Sequence, residues 1–217
     1  MANPFLSTDY CDSRPKSTKW GSIFCKENLV FPPMSSRIVD IDFENKWVVP
    51  RKGRRGGLAL FWKSSIDLMV EDSSNYYIDT WIDKNKESEW RFTGFYSELE
   101  TSRRGEAWDS LRSLNHHPNI PWLCAGDFNE LTRQDEKLGG AIRNHGQMQS
   151  FRNVLDEYGF IDLGFVGPRF TWSKKISDGH SIWERLNRGL ANNNWFHKFP
   201  DQECIIYNAL HLTIALC

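Results

Sequence analysis

Two regimes of apolar and polar patterning divide the chain. Residues 1–45 have no clear periodicity: Pro4, Pro15, Pro32 and Pro33 interrupt them among scattered serines, and no run reads as a buried first strand. From Trp47 onward the pattern sharpens. Leu58-Ala59-Leu60-Phe61-Trp62 predicts a buried strand, and further strands are predicted over 67–71, 76–82 and 90–96. In the last of these Trp90, Phe92, Gly94 and Tyr96 alternate with Arg91, Thr93 and Phe95, as in a strand buried on one face.

Residues 101–115 predict a helix that Thr101 can cap, with Trp108, Leu111 and Leu114 on one face. Pro118 and Pro121 break the chain before the short apolar run Trp122-Leu123-Cys124-Ala125-Gly126. A second helix is predicted from His145 or Gln147 to Tyr158, with Met148, Phe151, Val154 and Leu155 inward and Gly159 as its stop. Strand-like pieces follow over 160–163, 169–173 and 182–190. Strands outnumber helices, and hairpin-like neighbours alternate with helical crossovers. The expected fold class is α/β (α+β), with sheets packed together and helices outside them. An atypical N-terminal segment, 1–45, and one domain, 46–217, are the expected divisions.

The length of 217 residues suits one large α/β domain. Hydrophobic residues at 40% and charged residues at 25% mark a globular chain, and ten tryptophans with fourteen phenylalanines favour a large sheet-based core. A formal net charge of -1 removes bulk positive charge as an argument for non-specific nucleic-acid binding, though not for an enzyme that grips a phosphate through a metal ion. Locally, Arg51-Lys52-Gly53-Arg54-Arg55-Gly56-Gly57 is either a solvated turn before a strand or a contact to a phosphate backbone. No stretch approaches the ~18–20 apolar residues that span a bilayer. Met1-Ala2-Asn3-Pro4-Phe5 carries no secretory signal, and the five cysteines lack C-x-x-C spacing. The expectation is a soluble intracellular protein with reduced thiols and no membrane partner.

The sharpest chemical feature is Gly126-Asp127-Phe128-Asn129-Glu130, placed directly after a short apolar strand. If extended geometry persists, Asp127 and Asn129 point to the same side. One supplies charge and a proton acceptor, the other a neutral donor and acceptor. Such a pair can orient a water and hold a phosphate oxygen without two like charges repelling the substrate. The alternative is an Asx-rich turn that closes the strand.

This motif resembles the G-D-F-N of the endonuclease/exonuclease/phosphatase superfamily, and its surroundings resemble the endonuclease domain of plant LINE-type (non-LTR) retrotransposons. The matching stretches include Gly56 to Trp62, Trp90 to Tyr96, Pro121 to Cys124, Asp135-Glu136-Lys137, Asp162 to Gly167, Phe170-Thr171-Trp172-Ser173 and Glu184-Arg185-Leu186-Asn187-Arg188. The resemblance implies a DNase I-like four-layer sandwich, with two packed, mainly antiparallel β-sheets flanked by helices. It also implies hydrolysis of a DNA phosphodiester with Mg²⁺ (or Mn²⁺), the nick priming reverse transcription. A monomeric domain, an ancestral reverse-transcriptase partner in the same polypeptide and, for a functional copy, a nuclear location follow from the same likeness. Carried over, Asp127 would orient or deprotonate the attacking water, Asn129 would hold a non-bridging phosphate oxygen, and Tyr96 would sit near that phosphate. Asp127 and Asn129 are what the resemblance leaves for a metal. Glu130 and Glu136 are expected to be solvated or structural.

The departures are specific. The family's opening W-N-x-R-G strand has no counterpart here. Nor does its E-T-K segment, whose glutamate binds the metal; Glu27 and Glu44 are the nearest and sit in other contexts. Where the family has R-[IL]-D, with an aspartate that orients the catalytic histidine, this chain has Arg185-Leu186-Asn187. The closing S-D-H motif is replaced by Leu210-His211-Leu212-Thr213-Ile214-Ala215-Leu216-Cys217, so His211 is the remaining candidate for that histidine. His116, His117, His145, His180 and His197 read as surface residues. A domain incomplete at both ends and truncated at its C-terminus is expected, with impaired catalysis. A remnant without turnover is the alternative, and a phosphatase of the same fold a weaker one.

Overall fold

A computed structural model describes residues 21–26, 43–50, 57–114, 116–117, 119–165, 167–176, 179–200, 204–207 and 211–216. Strands β1 (Gly21–Lys26), β2 (Asn45–Val49), β3 (Leu58–Trp62), β4 (Leu68–Ser73), β5 (Tyr77–Ile82) and β6 (Trp90–Tyr96) lead to helix α1 (Arg104–Arg112). Next come β7 (Trp122–Asp127), β8 (Lys137–Leu138), α2 (His145–Glu157), β9 (Ile161–Asp162), β10 (Trp172–Lys175) and β11 (Ser181–Glu184). The order closes with β12 (Asn187–Ala191), α3 (Asn193–Lys198), β13 (Cys204–Tyr207) and β14 (His211–Leu216). The basic turn over 51–56 lies outside the described residues.

Six strands form a sheet in the order β4-β5-β6-β7-β12-β9, five a second in the order β13-β14-β1-β3-β2, and three a small sheet, β10-β11-β8. In the six-stranded sheet β6 and β7 are parallel while β4–β5, β5–β6, β12–β7 and β12–β9 are antiparallel. A parallel pair cannot be joined by a tight turn, and the connection through α1 supplies the crossover.

The period-2 pleat of the six-stranded sheet divides its side chains between two cores. Ile78, Phe92, Tyr96, Leu123 and Ala125 pack with Leu58 and Leu60 of the five-stranded sheet. On the other face, Phe95, Trp122, Cys124 and Leu190 pack under Trp108 and Leu111 of α1 and Phe151, Val154 and Leu155 of α2. The result is the α/β sandwich the sequence implies. Among the described residues no helix is long and apolar enough to cross a membrane.

Four expectations need correction. No first strand was expected before residue 45, yet β1 pairs with β3 and β14; partners distant in sequence, more than local pattern, make it a strand. Strand β6 is buried on both faces. Arg91 and Thr93 can lie inside because Asp79 accepts from Arg91 Nε at 2.9 Å, Arg91 Nη2 at 2.8 Å and Thr93 Oγ1 at 2.6 Å. The predicted strand 182–190 divides at Arg185-Leu186, so that β11 joins the small sheet and β12 the large one. Thr101 does not cap the helix: it opens a 3-10 turn, and α1 starts at Arg104 with no side-chain cap. Helix α2 is capped by Asn144, whose Oδ1 accepts from Gly146 N at 2.8 Å, and it stops before Gly159 at φ 59°.

Candidate active site

Strand β7 ends at Asp127, and register places a residue beside it on each side. Tyr96 is its parallel partner on β6, and Asn187 its antiparallel partner on β12. Paired positions share a face of a sheet, and Tyr96 belongs to the core between the two sheets. The three side chains therefore form a row on that face, only 2% (Tyr96), 8% (Asp127) and 2% (Asn187) exposed.

Beyond Asp127 the extended geometry stops. Asn129 lies in the left-handed region at φ 51°, and its backbone N–H donates to Asp127 Oδ1 at 2.8 Å. This is an Asx turn, so a turn rather than the strand pleat brings Asp127 and Asn129 together. Phe128 anchors it. The ring is fully buried toward the helices, stacked on Phe95 at 5.1 Å and tilted against Phe151 at 5.4 Å. On the other side of the turn Asn129 Nδ2 donates to Ser97 O at 3.2 Å, and Ser97 N donates to Asp127 O at 2.8 Å. The loops after β6 and β7 are thereby stitched together.

Thr171 is a residue that sequence reasoning did not single out. Its Oγ1 accepts the backbone N–H groups of Leu186 at 2.9 Å and Asn187 at 3.0 Å, which fixes where β12 begins. Its signal was present in Phe170-Thr171-Trp172-Ser173, but only as part of a resemblance. The ion pairs around the site, though not all of their residues, were also missed. Glu136 accepts from Arg185 Nη1 and from Arg188 Nη1 and Nη2, each at 3.0 Å, and Asp162 pairs with the same two arginines at 2.7 and 2.8 Å. Glu130 pairs with Arg104 at 2.5 Å. Of the two readings left open for Glu130 and Glu136, the structural one is what the contacts show; both are buried.

Electrostatically, burial pushes the Asp127 carboxyl up to about 6, while the Asn129 N–H and the charges of Arg104 and Arg188 pull it back in part. Burial alone would also raise Glu136, but hydrogen bonds and charge from Arg188, the Thr132 amide and the charge of Arg185 bring it down to about 2. The two carboxyls thus have opposite tendencies, one governed by burial and the other by the cations around it.

The other candidates lie elsewhere. His211 opens β14 in the five-stranded sheet, opposite Tyr207 of β13, and so is on a different sheet from Asp127. Glu44 accepts the backbone N–H of Ser64 at 2.8 Å, a loop-fastening role, and Glu27 is outside the described residues. His197 bonds its own helix at Asn193 O, and His117 packs edge-on against Trp81. Among the described residues no three of His, Cys, Asp and Glu converge. Magnesium in enzyme sites takes one or two carboxylates together with waters and substrate phosphates. Asp127 is the one carboxylate of the row, with the amides of Asn129 and Asn187 beside it. Among the described residues it is therefore the group that would hold such an ion, with waters and a substrate phosphate completing the shell.

The family model described as "Endonuclease/Exonuclease/phosphatase family" matches residues 8–196. Among solved structures the chain is similar to the endonuclease domain of TRAS1, a telomere-specific non-LTR retrotransposon, at 10% identity and a TM-score of 0.62, with 79% of each chain covered. It is similar also to the Xenopus laevis APE2 catalytic domain, at 13% identity and a TM-score of 0.54, covering 82% of this chain and 77% of that one. At such identities the likeness is one of fold. No curated protein sequence matches the chain.

Proposed function

The chain belongs to the endonuclease/exonuclease/phosphatase family, and from that premise we propose that it is a retrotransposon-derived DNA phosphodiesterase domain with impaired turnover. The observation that carries this reading is the row Tyr96–Asp127–Asn187, with Asn129 turned in beside it. In that arrangement Asp127 is the proton acceptor for a water, and the amides of Asn129 and Asn187 are neutral donors for phosphate oxygens. Tyr96 flanks the same position.

Impairment follows from what stands at 187. An amide cannot stabilise an imidazolium as a carboxylate does. Loss of general acid–base assistance typically lowers a rate by ~10²–10⁴-fold. Nucleases of this family generally use divalent metal ions; with a single carboxylate in the row, weak ion affinity is expected. The ordered retrotransposon-like stretches from Gly56 to Arg188 favour DNA over a small phosphorylated substrate. A fluorescent duplex oligonucleotide tests the reading. It should bind at low salt and remain uncut in Mg²⁺ or Mn²⁺, whereas no binding, or cutting that depends on Asp127, contradicts it.

A further inference from the structure

Arg104 is the first residue of α1 and is 8% exposed. Its guanidinium reaches in two directions. Nε donates to Glu98 O at 3.2 Å and Nη2 to Leu99 O at 3.4 Å, both in the loop that leaves β6. Nη1 donates to Glu130 Oε2 at 2.5 Å, in the residue that follows Asn129. Glu130 is 1% exposed, and its other oxygen accepts the Leu131 N–H at 2.9 Å and lies 3.4 Å from Arg143 Nε. Arg143 in turn pairs with Glu184 at 2.7 Å, and Lys137 pairs with the same carboxylate. Three cations against two carboxylates leave this buried chain one positive charge in excess.

We propose that Arg104 is the positioning residue of the candidate site: its planar fork, seated on Glu130, clamps the loop after β6 to the loop after β7 and so holds Asn129 beside Asp127. The inference rests on the reading of Asp127 and Asn129 as the site. Only a guanidinium can address three acceptors in one plane; a lysine ammonium keeps the charge and loses the fork. The clamp spans the gap that Asn129 Nδ2 closes on Ser97 O, so without it that contact and the Asx turn lose their backing.

Native-state hydrogen exchange on the full chain tests this without nucleic acid or turnover, so its failure is distinct from failure of the functional reading. The variants are Arg104→Lys, Arg104→Met and Glu130→Gln, with Arg112→Met as control, an exposed arginine on the same helix paired with Glu157. In the first three, protection of the Asn129 and Ser97 backbone amides should fall on the order of tenfold more than that of Leu123 and Cys124 in β7. The control should show no such local excess. Arg104→Lys and Glu130→Gln are the mild changes that keep the measurement possible should Arg104→Met fail to fold. Wild-type protection at Asn129 in Arg104→Lys, or loss in parallel with β7, overturns the proposal.

Discussion

Asp127 and Asn187 are register partners across β7 and β12, and the pair holds one carboxylate where the family resemblance implies two. That difference has a measurable consequence. Asn187→Asp places a second carboxylate beside the first, and like charges directly opposite destabilise a sheet. The variant should lose about 1 kcal/mol at neutral pH and recover it when Mg²⁺ or Mn²⁺ is added, because an ion that binds only the folded state stabilises it. Thermal melts with and without the ion check this. A loss that neither ion reverses would show that two carboxylates at these paired positions do not together hold a cation.

Asp127 itself should be a stability cost at neutral pH. Its carboxyl is pushed from 3.8 up to about 6 by burial, so the folded state favours the protonated form. That contribution is fully present below about 3.8 and is lost as the pH rises through about 6. In Asp127→Asn the side-chain amide keeps an oxygen to accept the Asn129 N–H and does not ionise. The variant should therefore melt higher than wild type above pH 6, by about 1–3 kcal/mol, with the difference vanishing toward pH 4. A variant less stable than wild type at pH 7 would contradict this.

Glu136 has the opposite sign. Its carboxyl is held down at about 2, so its stabilisation is present above 4.5 and is lost as the pH falls from 4.5 toward 2. Glu136→Gln leaves Arg188, fully buried, and Arg185 with Asp162 alone as their carboxylate, so one of the two cations is uncompensated. Removing one partner of a buried pair typically costs ~3–5 kcal/mol. Urea melts at pH 7 measure it, and a cost below about 1 kcal/mol would assign the network little weight.

Much of the frame was legible in the sequence because its signals are local. The strand at residues 90–96, the apolar run Trp122 to Gly126 and the Phe151–Val154–Leu155 face of α2 all became the elements they imply. What stayed hidden depends on partners far apart along the chain. Glu136 and Arg188 are 52 residues apart, and nothing near either marks it as buried. Arg91 read as the solvent side of a strand because Asp79, its partner, lies on another strand. The break at Arg185-Leu186 is invisible in a strand-like run, since Thr171 and the Glu136–Asp162 carboxylates cause it from outside. At the site the motif was legible but its geometry was not: Asn129 reaches Asp127 through a left-handed turn that strand periodicity does not foresee.

The Arg91–Asp79 pair gives a check on the sheet that carries the site. Asp79→Asn removes the charge opposite a guanidinium that is 2% exposed and stacked 4.4 Å from the Trp122 ring. A loss of about 3–5 kcal/mol is expected, with the far-UV spectrum retained. Replacing both partners with apolar residues of similar size should cost less than Asp79→Asn alone. If the double replacement costs more, the pair is not bearing on stability through an uncompensated charge.

On the proposed reading, the row of Tyr96, Asp127 and Asn187 retains the arrangement of a phosphodiesterase with its turnover impaired. Nicking of supercoiled plasmid, followed over time in Mg²⁺ and in Mn²⁺ with wild type beside Asp127→Ala, tests that most directly. Equal, background rates are expected for the two proteins in both ions. Metal-dependent nicking by wild type that Asp127→Ala abolishes would contradict the reading and make the chain an active endonuclease.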